Sequence, residues 1–168
     1  MARPGRFVFA QVIDVVHRQL FARCVERYQG NYKVQEFTCR EQFLCLAFAQ
    51  LTGRESLRDI EVCLNARPER RYRLGFSHPI ARSTLADANE SRDWRIFADL
   101  AQALIARARD LYCGEDLGIE LKDTIYALDS TTIELCLSLF PWARYQRAHG
   151  AIKLHTLLDL RGPIPSFI

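Results

Sequence analysis

Through the first 112 positions apolar residues recur at three- and four-residue spacing, and beyond position 124 the spacing shortens toward two. The first pattern is that of amphipathic helices, the second that of strands. Phe9, Val12, Val16, Leu20, Cys24 and Tyr28 predict one helix over residues 7–28, stopped by Gly30-Asn31. Thr38-x-x-Glu41 is a capping box, so a second helix should run over 39–51. Its inward face is Phe43, Leu44, Ala47, Phe48 and Leu51, and Gly53 closes it. A third helix over 55–65 turns Leu57, Ile60 and Leu64 inward. The tight glycine turn between the two fits a helix-turn-helix, and equally any αα-hairpin.

Residues 67–76 read as a loop in which Arg67, Arg70, Arg71 and Arg73 outnumber Glu69, with Tyr72 and Phe76 interleaved. Such a loop can follow a phosphate backbone, or simply be solvated. A short helix from about Ser83 should expose Arg82, Ser83 and Thr84 at its start, where backbone N–H groups favour phosphate, with Asn89 and Arg92 further along. The clearest helix covers 93–112, its stripe being Trp94, Phe97, Leu100 or Ala101, Leu104, Ala108 and Leu111.

An acid-rich linker, 115–123, then separates the two patterns and places a domain boundary near residue 116. Ile125 to Leu128 is an apolar run of strand character that ends on Asp129, followed by Ser130, Thr131 and Thr132. A carboxylate where a strand gives out can hold a hard divalent cation; the other reading is a turn. Trp142, Arg144, Tyr145, Arg147 and His149 form a second basic-aromatic cluster. Residues 151–160 alternate, with Lys153, His155, Leu157 and Asp159 opposed to Ile152, Leu154, Thr156 and Leu158. A third strand begins at Ile164.

Composition narrows the classes. With 168 residues, 49% of them hydrophobic and 26% charged, the chain holds one good core or one small domain and the start of another. A net charge of +3 permits nucleic acid without requiring it. Cysteines 24, 39, 45, 63, 113 and 136 lack C-x-x-C spacing and read as reduced core residues of a cytosolic protein. No stretch reads as a secretory signal or a membrane span, and G-x-S-x-G, P-loop and H-E-x-x-H patterns are absent.

Tyr126–Ile133 (Y-A-L-D-S-T-T-I), Phe140–Tyr145 (F-P-W-A-R-Y) and the stretch from Gly150 to Phe167 (G-A-I-K-L-H-T-L-L-D-L-R-G-P-I-P-S-F) resemble the opening of the catalytic domain of bacterial insertion-sequence transposases. The resemblance is to the DDE, RNase H-like superfamily, in its hairpin-forming cut-and-paste branch. It implies a mainly α domain over 1–115 that binds DNA, then, from 116 to 168, the first strands of a truncated α/β RNase H-like domain. It makes Asp129 the first of three metal-binding carboxylates, the second Asp and the Glu being missing, so that the chain alone should bind DNA without cutting it. Mg²⁺ or Mn²⁺ is the implied cofactor, expected only with the complete triad. Double-stranded DNA (element ends and target) and a second copy of the chain are the implied partners, in the cytoplasm on the nucleoid. The implied DNA contacts are Arg70, Arg71, Arg73, Arg82, Ser83, Thr84, Arg144, Arg147 and Lys153. The alternative is a helix-turn-helix regulator without catalysis, in which Asp129 is a turn residue.

Overall fold

The computed structural model describes residues 7–112, 126–135, 144–146, 149–159 and 164–167. Seven helices precede four strands among them. The chain divides into two compact units, Met1–Leu100 and Ala101–Ile168. The boundary expected near residue 116 falls outside the described residues.

The first predicted helix is two: α1, Val8–Ile13, and α2, Arg18–Arg27. Val12, Ile13, Val15 and Val16 are β-branched and give up side-chain freedom in a helix. The chain tightens there instead, Val15 N donating to Val12 O (3.1 Å) and Val16 N to Ile13 O (3.0 Å). The break rotates the buried face, so that Ile13, Phe21 and Val25 are enclosed and Val12 is exposed.

Helix α3, Cys39–Thr52, begins and ends as its sequence predicts. Thr38 Oγ1 accepts from Glu41 N (3.3 Å) while the Glu41 carboxylate accepts from Thr38 N (2.9 Å). Gly53 closes the helix at φ 62°, a left-handed turn that glycine takes without strain. Leu51 of the expected inward face is exposed, and Cys39 and Cys45 take the deepest positions. Helix α4, Leu57–Asn65, starts on Ser56, whose hydroxyl accepts from Asp59 N, and buries Ile60 and Leu64.

The arginine-rich stretch is not a loop but a short helix, α5, Pro68–Arg73. Proline at its first position lacks only an N–H that would have been unpaired, and Glu69 early with Arg70, Arg71 and Arg73 late suit the helix dipole. Helix α6, Arg82–Ser91, and helix α7, Arg95–Tyr112, complete the set. Trp94, assigned to the stripe of α7, lies before it and is 73% exposed, while Ile96, Leu100 and Ile105 are buried. The core of the first unit joins Ile13, Leu44, Cys45, Ile60, Leu64, Leu74, Phe76, Ile80 and Leu85. Each such side chain contributes about 1.5–3 kcal/mol on burial. Cys24, Cys39, Cys45 and the half-exposed Cys63 are free thiols; burial pushes Cys45 up to about 12.

In the second unit β3, His149–Asp159, pairs antiparallel with β1, Tyr126–Leu135, from Gly150 to Asp159. The other edge of β3 takes β2, Arg144–Gln146, at one end and β4, Ile164–Phe167, at the other. The two antiparallel strands expected after the first are thus present, and β2 is an addition. Asp129 does not end its strand. It sits within β1, opposite Thr156, because Thr131, Thr132 and Ile133 extend the pairing to Leu135.

Gly30 supports the packing of the first unit by closeness alone. A Cβ there would lie 2.5 Å from Ile96 Cδ1 and 2.8 Å from Cys39 Sγ. Gly30→Ala should therefore cost about 1–3 kcal/mol by overpacking, read as a lowered urea midpoint with unchanged slope.

Candidate nucleic-acid interface

The predicted contacts on α5 and α6 meet at the end of α4, which packs against both helices. Asn65, the last residue of α4, donates from Nδ2 to Ile80 O (2.7 Å) and accepts at Oδ1 from Ile80 N (3.0 Å). One amide thus holds both backbone groups of a residue two positions before α6. The same Oδ1 also faces Arg71 Nη1 at 3.5 Å. Arg67, Arg70 and Arg73 stay exposed, as does Tyr72 at 77%. Phe76, expected to interleave with them, is buried in the core, so Tyr72 is the aromatic that this surface offers. Arg70 lies over the Phe7 ring at 5.3 Å, which orients its stem without neutralising it.

Arg82, Ser83 and Thr84 are exposed at the start of α6, as the sequence implies. Ala81 at the N-cap provides no side-chain acceptor. Glu61 of α4 takes that place, its carboxylate accepting from Arg82 N at 3.0 Å. A phosphate arriving at this end meets a carboxylate already in position. Neither Glu61 nor Asn65 carried a signal in sequence, because each acts on a backbone group 15 or more residues away.

Further along α6 the polar residues serve structure. Asn89 Oδ1 accepts from Gln42 Nε2 (2.7 Å). Arg92 donates to Thr38 O (3.0 Å), Gln42 Oε1 (3.1 Å) and Phe37 O, and stacks over the Phe37 ring at 5.4 Å. Burial pulls the Arg92 guanidinium below its ordinary value, with Cys39 and Glu41 opposing the shift. A cleft of about 700 Å³ opens between the 28–37 segment and α6. Its carboxylates, Glu36, Asp87 and Asp93 among them, make it unfavourable to phosphate.

In the second unit Lys153 is exposed and registers opposite Thr132, and His155 is exposed opposite Ser130. Arg144 is a backbone position of β2, and Trp142 and Arg147 lie outside the described residues. Among the described residues no group of three His, Cys, Asp or Glu could hold a metal. Asp129 by itself does not compose a Mg²⁺ centre, since one carboxylate replaces too little of the hydration shell. No described helix is long and apolar enough to cross a membrane.

Asn65→Ala should leave both backbone groups of Ile80 without their partner and cost about 1–3 kcal/mol. Amide exchange at Ile80 should accelerate by more than at Leu44, which lies in the same core.

The family described as a domain of unknown function, DUF4372, matches residues 5–77, the stretch that contains α1 to α5. No curated protein and no solved structure matches the chain.

Proposed function

We propose that this chain is the N-terminal part of a DNA transposase of the DDE, RNase H-like superfamily. In this reading the helical unit binds the ends of an insertion sequence, and Asp129 is the first carboxylate of the catalytic triad. The observation that carries it is the sheet: β1, β3 and β4 form an antiparallel meander with Asp129 inside the first strand, across from Thr156. An antiparallel sheet whose first strand carries this aspartate supports the reading, although the strand runs on past Asp129 to Leu135. The match over 5–77 adds support, since that family is commonly found in transposase-like proteins. The exposed guanidiniums of Arg70, Arg73 and Arg82 supply charge for phosphate and the side chains of Ser83 and Thr84 supply donors, while the Arg82 N–H stays with Glu61. Mg²⁺ or Mn²⁺ would bind once the two further carboxylates join Asp129, and a second copy of the chain would pair with it on DNA.

A second reading, a DNA-binding regulator, draws on the α3–Gly53–α4 hairpin. Both readings require duplex binding, and they part at Asp129.

Binding of a duplex bearing the element's end should weaken with salt, and Arg70→Gln, Arg73→Gln and Arg82→Gln together should reduce the slope of log K against log salt by about 2–3. Asp129→Ala should leave that binding intact. In a chain carrying the complete triad, Asp129→Ala should abolish Mg²⁺-dependent strand cleavage; equal cleavage by variant and wild type would return the regulator to first place.

A further inference from the structure

We propose that the cleft between the 28–37 segment and α6 receives the arginine-bearing helix α5 of a second copy of this chain. Cleft and helix both belong to the first unit, so two copies related by a two-fold axis can each give a helix and each receive one. The pairing goes beyond the DNA-binding reading, since it forms without DNA.

At about 700 Å³ the cleft has the size of a ligand pocket. One wall is a single face of α6, where Thr84, Asp87, Ala88 and Ser91 follow each other at three- and four-residue spacing. The other wall carries Tyr32 and Glu36. Four carboxylates line the space: Glu36, Glu41, Asp87 and Asp93. Glu41 is committed to Thr38 N (2.9 Å) and Asp93 to Arg95 (2.5 Å). Glu36 and Asp87, one on each wall, are exposed and form no ion pair among the described residues. Arg92 also lines the cleft, but its donors are taken by Phe37 O, Thr38 O and Gln42 Oε1. Acid on two facing walls beside an exposed aromatic ring selects a cation carried on an apolar stem.

Helix α5 has that chemistry. Arg67, Arg70 and Arg73 recur every three residues and so share one stripe. All three are exposed, none forms an ion pair among the described residues, and Glu69 is the one acid of the helix. The planar guanidinium meets a carboxylate with two parallel N–H donors, which gives the contact direction as well as charge. No residue of α5 lines the cleft of its own chain, so the two surfaces are left to meet between copies. An α5 seated in a cleft is closed to a phosphate backbone, and this pairing therefore belongs to the DNA-free chain.

The test is sedimentation velocity of the 168-residue chain at low salt without DNA. The wild type should form a dimer that dissociates as salt rises. Glu36→Arg/Asp87→Arg and Arg67→Glu/Arg73→Glu should each weaken dimerisation by about tenfold or more. An equimolar mixture of the two variants should recover it, because the reversed charges then face each other. All four residues are exposed, so both variants should keep the far-UV circular dichroism of the wild type. A monomeric wild type, variants that dimerise as the wild type does, or a mixture that stays monomeric overturns the proposal. None of these outcomes touches the DNA-binding reading, which fails separately if the wild type binds no duplex.

Discussion

Enclosing part of a guanidinium is unfavourable by several kcal/mol unless its N–H groups meet acceptors, and the helical unit organises its helix ends around one such group. Arg92 closes α6 and sends its donors to Phe37 O, Thr38 O and Gln42 Oε1. Thr38 is also the residue that caps α3, and Gln42 reaches on to Asn89. The start of one helix and the end of another are therefore aligned by a single connected set of polar groups. Such a network fixes orientation in a way that apolar packing alone does not, because each member has one geometry that satisfies it.

The second fixed point, Asn65, works on the opposite end of α6. Together the two define where that helix begins and where it stops, so its exposed first turn is held by side chains that do not themselves face outward. The arginines of α5 follow the same division. Arg71 is drawn inward toward Asn65, whereas Arg67, Arg70 and Arg73 remain at the surface with Glu69 as the acid of their helix. A rigid support with unpaired charge at its rim suits contact with a polyanion.

Local signals in the sequence translated well. The capping box at Thr38 and Glu41, the left-handed Gly53 and the strand over 151–159 each rest on signals within a few residues, and each appears where expected. What escaped were competitions and long-range partners. The spacing from Phe9 to Tyr28 matched a helix, but the β-branched cluster at 12–16 broke it. Phe76 resembled an exposed aromatic among arginines until the core claimed it. The pairing of β1 with β3 past Asp129 depends on residues 15 or more positions distant, so no local rule could separate a strand end from a strand middle there. At the candidate interface, the exposed residues were legible from charge and helix position. Glu61 and Asn65 were not, because their importance lies in what they hold across the fold.

The ten-residue ladder between β1 and β3 carries one more implication. Side chains alternate across a strand, so a slip of a single residue would exchange the face bearing position 129 with the face bearing Ser130 and Thr132. The register is held over all ten pairs, from Tyr126 opposite Asp159 to Leu135 opposite Gly150. The face on which the carboxylate stands is thus set by the whole ladder and not by its own position alone.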